Sequence, residues 1–241
     1  MLFTPWAQYD IVDIIANKIA SRRRDIELKK GFNYLCYSLL AFGGIGLEAV
    51  LAFGIEPMLF GAEMANWTTP QHIIHWVATC ALWGFVAWLL VRSSCKNLDF
   101  DVFAKGKDVA VWQWILAAAL VVFSLVVSYF DWNGIKVVKE FNANGALKFV
   151  FQYIYYCFEV ALVTLILVFG QKAFEEWFHN DKIPYGGIIL ALTWGAGHFF
   201  TKDFSTGIVT MISGLAFGSM YLLMNRDIKK TYIFLWFMFV L

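Results

Sequence analysis

A nearly unbroken apolar run from Phe149 to Gly170 limits the folds open to this chain more than any other feature. A helix of about 20 apolar residues is long enough to cross the ~30 Å hydrocarbon core of a bilayer. The composition agrees, because 60% of the residues are hydrophobic and only 15% are charged. Soluble domains average about 45–50% apolar and about 25% charged residues. The sequence therefore predicts a polytopic membrane protein and excludes an ordinary soluble enzyme.

The apolar runs also predict the number of membrane segments. Six runs are long enough to span, at about residues 32–54, 72–92, 111–130, 147–170, 183–200 and 206–224. A seventh apolar segment, 231–241, is short for a straight crossing, which favours a half-span, a re-entrant piece or a truncated helix. The predicted fold class is all-α: a polytopic transmembrane helix bundle with six to seven membrane segments, forming one membrane domain over residues 1–241.

Basic residues predict the orientation of the bundle. Lys and Arg concentrate in the segments 18–30, 92–110 and 225–230, whereas the connection 55–71 has two Glu and no Lys or Arg. By the positive-inside rule, the N-terminus is cytoplasmic. It has no basic stretch followed by an apolar stretch, so we expect no cleaved signal peptide. Residues 1–31 are expected to form an amphipathic interfacial helix, over 9–20, and a basic segment.

The same features predict the surroundings of the protein. We expect an integral protein of the bacterial plasma membrane whose main partner is the lipid bilayer. The net charge is +1, and no basic stripe of the nucleic-acid-binding kind is found, so no nucleic-acid partner is expected. A Gly214-x-x-x-Gly218 motif in the predicted span 206–224 favours close helix packing within the chain over a dimer contact.

Two ionisable residues at membrane depth indicate where chemistry could occur. Glu159 lies near the middle of the run 147–170, and His198 lies in the next predicted span. A charged group there costs several kcal/mol unless it is protonated, paired or facing water. Glu159 lies ~16 Å along its helix from the turn that connects the two spans, and His198 lies ~22 Å along the next helix from the same turn. The two residues can therefore lie at a similar depth in the membrane. They could activate a water between them, or form a Glu–His bond that only holds two helices together.

Other polar residues have both structural and functional interpretations. Glu48, in the first predicted span, could pair with a basic group or be protonated. His72 and His75 open the second span one helical turn apart, which is typical of interfacial residues and less often of a metal site. The adjacent Glu175 and Glu176 resemble a paired carboxylate, but successive helix residues point about 100° apart, which favours a hydrated cytoplasmic helix end. Asp203 is expected in a solvated turn.

The stretch from Phe158 to Tyr221 contains recognisable motifs. Trp194-Gly-Ala-Gly-His198 follows Ile183-Pro184-Tyr185-Gly186 and precedes the glycine-rich span ISGLAFGSMYLL. In these residues the chain resembles the CAAX-prenyl endopeptidase and bacteriocin-processing family, polytopic intramembrane proteases often called CPBP or Abi proteins. That family carries Glu-Glu-x-x-x-Arg, Phe-x-x-x-His and His-x-x-x-Asn on three successive motif-bearing spans. Residues 147–241 are the predicted CPBP-like core.

The first family motif fits this sequence in two registers. Glu175-Glu176 keeps the double Glu but has Asn180 in place of Arg and lies close in sequence to His198. The register with Glu159 has Thr164 in the Arg position. It restores the longer separation from His198 and places the Glu at membrane depth, so it is preferred. The third motif is not found: the matching positions, Phe234 and Met238, lie in a segment without His or Asn. Glu48 or His75 could substitute, or the chain is a degenerate member.

The resemblance implies an intramembrane endopeptidase in which Glu159 activates water and His198 assists, with Glu175 and Glu176 as fallback bases. Its substrate would be a membrane-associated or prenylated peptide. No cofactor is expected to be required: a divalent metal such as zinc is compatible with Glu and His ligands, but no His-Glu-x-x-His pattern favours it. The alternative is a catalytically degenerate member acting as a membrane scaffold or immunity-type binding protein. A proton-coupled transporter using Glu48 and Glu159 is disfavoured because no internal repeat is evident.

Overall fold

A computed structural model describes the backbone from Pro5 to Leu241 and the side chains from residue 17 onward. Within that part of the chain the fold is all helical, without strands. The helices are α1 (Pro5–Val50), α2 (Glu56–Phe60), α3 (Thr69–Asn97), α4 (Val111–Asp131), α5 (Lys136–Phe178), α6 (Tyr185–Leu190), α7 (Ala196–Thr201), α8 (Phe204–Leu223) and α9 (Ile228–Val240). π-helical turns at Leu51–Ile55 and Ala191–Gly195 join α1 to α2 and α6 to α7, and a 3₁₀ turn covers Met64–Asn66.

Among the described residues, five helical segments are long and apolar enough to cross a membrane, which confirms the all-α fold and the membrane class. They are Asn17–Phe60, Thr69–Asn97, Val111–Asp131, Lys136–Phe178 and Phe204–Leu223. The count of six to seven is not confirmed. The predicted span 183–200 consists of α6, a π turn and α7, and the segment 231–241 lies in α9, which has only 13 residues.

Helix α1 is longer than the first predicted span, because its backbone continues without a break from Pro5. The apolar face predicted for residues 9–20 lies mainly on side chains outside the described ones. The basic segment that follows is helical too, and its exposed Arg23 pairs with Glu27 one turn later, at 2.9 Å. In the described residues, α1 and α6 continue through π turns, whereas α5 is kinked at Gly145, whose φ is 66°.

Helix α5 is the centre of the bundle. It packs against α1, α3, α6 and α9, and its residues from Val160 to Gln171 are all buried or nearly so. Three hydrogen bonds show that α1 runs antiparallel to it: Trp177 Nε1 to the Leu28 carbonyl at 3.1 Å, Ser38 Oγ to the Ile166 carbonyl at 2.8 Å, and Tyr155 Oη to Glu48 at 2.8 Å. Such contacts matter because lipid removes most of the hydrophobic drive for helices to associate.

Small residues allow α8 to pack closely on α6 and the π turn. A methyl group at Gly214 would lie 2.9 Å from the backbone nitrogen of Ala191, and one at Gly218 would overlap the Gly187 backbone. The Gly214-x-x-x-Gly218 motif therefore packs within the chain, as the sequence predicted. This contact holds the Trp194–His198 segment against the core.

The connection before α4 folds over one end of the bundle. Gly106 lies against Asn225 and Asp227 with no room for a side chain. Asn225 in turn donates to the Asp108 carbonyl at 2.8 Å and accepts from Gln113 Nε2, also at 2.8 Å. These bonds tie the start of α4 to the turn after α8 and create a covered space at the basic end of the bundle.

Asp227 starts helix α9 by accepting the backbone N–H groups of Lys229 and Lys230 at 3.1 and 3.2 Å. Burial alone would raise the pKa of Asp227, but the hydrogen bonds and the Lys230 ammonium outweigh burial and lower it. A lowered pKa in the folded state gives stability that is present above the unfolded pKa and lost as the pH falls through the folded value.

We therefore expect Asp227→Ala to lower the free energy of unfolding by about 1 kcal/mol near neutral pH. The difference from wild type should shrink below about pH 4, where the carboxyl group begins to protonate. Thermal unfolding in detergent at the two pH values measures this. Asp227→Asn, which keeps an acceptor but cannot ionise, is the matched control. An equal Asp227→Ala deficit at both pH values would contradict the prediction.

Candidate functional site

Glu159 lies on the side of α5 that faces α6 and α7, where the helix enters the bundle core. It is 9% exposed, and its Oε1 accepts a hydrogen bond from Trp194 Nε1 at 3.0 Å. Trp194 lies in the π turn between α6 and α7. Such turns carry one residue more than an α-turn and are frequent at functional sites. In the described residues, the second carboxylate oxygen of Glu159 has no hydrogen-bond partner.

His198 lies one turn after Trp194 and contacts the same indole. Its ring packs edge-on against Trp194 with centroids 4.8 Å apart, and its Nδ1 is 2.8 Å from the Trp194 carbonyl. A carbonyl oxygen only accepts, so Nδ1 carries the proton and Nε2 of the neutral ring keeps its lone pair. No described side chain bonds to Nε2. The imidazole is half-buried, so its acceptor nitrogen can receive a hydrogen bond from a small molecule.

Glu159 and His198 do not hydrogen-bond to each other in the described chain; Trp194 contacts both. The structural alternative of a direct Glu–His bond between two helices is therefore not observed. The two groups flank one indole, and each keeps a free polar atom. Each free atom is available to another hydrogen-bonding group. Their joint chemical role stays a prediction.

A second buried polar cluster lies between α1, α2 and α3. His75 is fully buried, and its Nδ1 and Nε2 lie 2.7 Å from Glu56 Oε2 and 3.3 Å from Glu48 Oε1. Tyr155 donates to the same Glu48 oxygen. His75 is therefore a core residue, not an interfacial one, and it is the basic group with which Glu48 pairs. Glu56 was not predicted from the sequence as a partner of His75.

This second cluster neighbours the candidate site. Tyr155 lies one helical turn before Glu159 on α5, and its hydroxyl donates to Glu48. Glu48 is thus tied to the same helix as Glu159, and it is one of the two groups that the sequence offered as a substitute for the third family motif.

The positions of that third motif are apolar in the structure. Phe234 and Met238 lie on α9, whose Phe239 packs on the Trp194 ring with centroids 5.8 Å apart. Helix α9 thus supports the indole by packing and brings no His or Asn to it. Tyr232 of the same helix donates to the Cys157 carbonyl at 2.9 Å and fixes α9 against α5.

Glu175 and Glu176 lie at the other end of α5 and face different partners. From Glu159 to Glu175 is ~24 Å of helix. Glu175 accepts from Arg226 Nη2 at 2.6 Å and from Gln171 at 2.8 Å. Glu176 pairs with Lys172 at 2.9 Å and Lys30 at 3.2 Å. The two carboxylates do not converge on one site, although Glu175 lines a polar cavity.

The remaining polar candidates have structural surroundings. His72 stacks between Trp67 and Trp76, with ring centroids 5.7 and 5.8 Å away. Asp203 caps helix α8 by accepting from the Thr206 N–H at 2.9 Å, so the expected solvated turn is a helix N-cap. Glu140 is a further buried carboxylate that was not singled out in the sequence, and it accepts from the Tyr153 and Tyr156 hydroxyls at 2.8 and 2.6 Å.

The described side chains contain no group of three or more His, Cys, Asp and Glu residues able to hold a metal ion. Glu159 and His198 would offer two ligands, fewer than the three or four that protein zinc sites use. The residues present do not fit a zinc site of that kind, so we derive no step through a metal.

Comparisons of the chain with protein-family models, with curated proteins and with solved structures find no match. The resemblance to the CPBP proteases therefore rests only on the sequence motifs between Phe158 and Tyr221.

Proposed function

We propose that this protein is an intramembrane endopeptidase of the type that the CPBP resemblance implies, with Glu159 as the base. One observation carries the proposal: Glu159 and His198 flank the Trp194 indole without bonding to each other, and each keeps a free polar atom. A Glu–His pair that only held two helices together would bond directly, and these two groups do not. A water between the two groups would satisfy both.

In the proposed reaction, the free oxygen of Glu159 takes a proton from the water as the new C–O bond forms at the scissile carbonyl. Glu159 returns that proton to the amide nitrogen as the C–N bond breaks. His198 Nε2 accepts a hydrogen bond from the other water proton and so orients the attack. The Trp194 N–H holds the carboxylate in place. General acid–base catalysis of this kind contributes about 10²–10⁴-fold.

We further infer that α6–α7 and α9 add two shorter segments to the five spans, and that the N-terminus faces the cytoplasm of a bacterial cell. The support is charge: Lys30, Lys172 and Arg226 all lie at one end of the bundle, as positive-inside placement requires. Glu159 is ~20 Å of helix from Lys172. That depth favours a substrate peptide that enters the membrane over one held at the basic surface.

A proteolysis assay on the reconstituted protein tests the proposal. Quenched fluorescent peptides, one with an apolar membrane-spanning segment and one farnesylated at its C-terminus, are the probes. We expect Glu159→Gln to lower cleavage by about a hundredfold or more, and His198→Ala to lower it similarly. Glu140→Gln is the matched control, because Glu140 is also a buried carboxylate of α5 but bonds to Tyr153 and Tyr156, not to Trp194. It should retain cleavage.

Equal cleavage by wild type and both site variants, or no cleavage of either peptide by wild type, would rule out the proposal. Glu175→Gln and Glu176→Gln extend the test to the fallback bases. If Glu175→Gln alone abolished cleavage, the base would lie at the other end of α5.

The second candidate function is a membrane scaffold or immunity-type binding protein. It is favoured by the polar pairs that link helices: Glu175 to Arg226, Glu176 to Lys30, and His75 to Glu48 and Glu56. Helix α9 has no His or Asn, which also favours this candidate. A wild-type protein that is stable, membrane-inserted and inactive on both peptides would support this candidate.

A further inference from the structure

Two neighbouring cavities lie at the basic end of the bundle, away from Glu159. One is an apolar groove of about 700 Å³ between α4 and α8, lined by side chains such as Trp112, Leu116, Leu120 and Leu222. The other is a polar cavity of about 460 Å³ beneath the 101–107 connection. Asp181 and Arg226 line both. The two spaces are therefore adjacent, and one elongated molecule could occupy both.

The polar cavity contains a hydroxyl group that the protein leaves unsatisfied. Tyr221 is only 5% exposed, lines this cavity and has no hydrogen-bond partner for its hydroxyl in the described chain. The side-chain amide of Gln171, which lines the same cavity, donates instead to Glu175 and to the Ile183 carbonyl. A buried tyrosine hydroxyl normally finds a partner, so this one is placed to bind a ligand.

The charges around the two cavities favour an anionic ligand. Five cations line them (Lys105, Lys107, Lys172, Lys182 and Arg226) against three carboxylates (Asp101, Glu175 and Asp181). Glu175 is paired with Arg226, and Asp101 accepts the Phe103 N–H. Lys107 and Lys182 have no ion-pair partner in the described chain. The guanidinium of Arg226 uses Nε and Nη2 in bonds to Glu175 and the Asp181 carbonyl, which leaves its third nitrogen free.

We propose that these cavities together form a binding site for one anionic phospholipid, its phosphate bound near Tyr221, Lys107 and Arg226 and an acyl chain lying in the groove between α4 and α8. The combination of an apolar groove with a cationic, hydroxyl-bearing cavity matches a molecule with an apolar tail and a negative head. Basic pockets between membrane helices at this kind of surface bind lipid head groups. The proposal is independent of peptide hydrolysis.

The full-length protein, purified in detergent and stripped of lipid, tests this site by native mass spectrometry. The probes are phosphatidylglycerol and phosphatidylcholine with the same acyl chains. We expect phosphatidylglycerol to bind about tenfold more tightly, because its net negative head is not offset by a choline cation. Tyr221→Phe, which removes only the hydroxyl, should weaken phosphatidylglycerol binding about tenfold.

Two further variants separate the head from the tail. The double variant Lys107→Gln/Lys182→Gln should lower phosphatidylglycerol affinity about tenfold, whereas Lys139→Gln/Lys148→Gln, on the distant half of α5, should not change it. Ala119→Trp, which fills the groove, should weaken both lipids, since Ala119 lines it. Equal affinity for the two lipids, or equal behaviour of the two lysine pairs, would overturn the proposal. Competition by inorganic phosphate with no effect of Ala119→Trp would overturn it in favour of a soluble-anion site.

Discussion

Replacing His75 by Ala is expected to lower the free energy of unfolding by about 3–5 kcal/mol. The imidazole is fully buried and lies between the carboxylates of Glu56 and Glu48, at 2.7 and 3.3 Å. Without it, Glu56 loses its hydrogen-bond partner and Glu48 keeps only the Tyr155 hydroxyl. Removing one partner of a buried ion pair costs more than the net stabilisation that the pair contributes. Equilibrium unfolding in mixed micelles measures the loss.

His72→Ala is the matched control for this substitution. His72 lies one helical turn earlier on the same face of α3 but stacks on tryptophans instead of bonding to carboxylates. It should cost about 1 kcal/mol, the size of an aromatic contact. In a protein that also carries Glu48→Gln and Glu56→Gln, His75→Ala should lower the free energy of unfolding by less. The reason is that no buried carboxylate is then left without its partner. Equal losses for the two histidine variants would show that His75 acts by packing alone.

Gly218→Ala should be the next most damaging change, with a loss of about 1–3 kcal/mol from overpacking. The added methyl group would overlap the Gly187 backbone, which cannot move aside as a side chain could. Since α8 holds α6 and the π turn in place, displacement would also shift Trp194 away from Glu159. We therefore expect lower thermal stability together with lower peptide cleavage.

Gly46→Ala provides the comparison, because nothing lies within 4 Å of the methyl group it would add on α1. Alanine is the better helix former by about 1 kcal/mol, so this variant should be neutral or slightly stabilised. Similar thermal stability for Gly218→Ala and Gly46→Ala would mean that α6 and α8 do not depend on this close contact.

Much of the candidate site could be predicted from the sequence. Glu159 and His198 stand out because ionisable residues are rare in apolar runs, and helix length alone predicts that they lie at similar depths. Trp194 appeared only as a motif position, although its indole bonds to Glu159 and packs on His198. The π turn that brings it there could not be predicted, since a single extra residue in a helical turn leaves no periodic signal.

Other side chains needed the tertiary structure because their partners are distant in sequence. His75 looked interfacial from its place near a span end, yet α1 and α2 enclose it and supply Glu48 and Glu56. Glu175 and Glu176 were expected at a hydrated helix end, and only the structure shows that they bind separate partners from opposite parts of the chain, Arg226 and Lys30. Asp203 looked like a free turn residue, yet it begins α8.

The sequence by itself determined that this protein is an all-helical membrane protein. Backbone in lipid must form a helix or a closed barrel, and apolar runs of about 20 residues have the length of a helical span, not of a barrel strand. It also identified Glu159 and His198 as ionisable residues within apolar runs. The tertiary structure alone decided what those residues contact: Glu159 meets Trp194, and His75 meets two carboxylates. The physical reason is that hydropathy sets the depth of a residue, whereas its partners depend on how each helix is rotated, and small residues and π turns set that rotation.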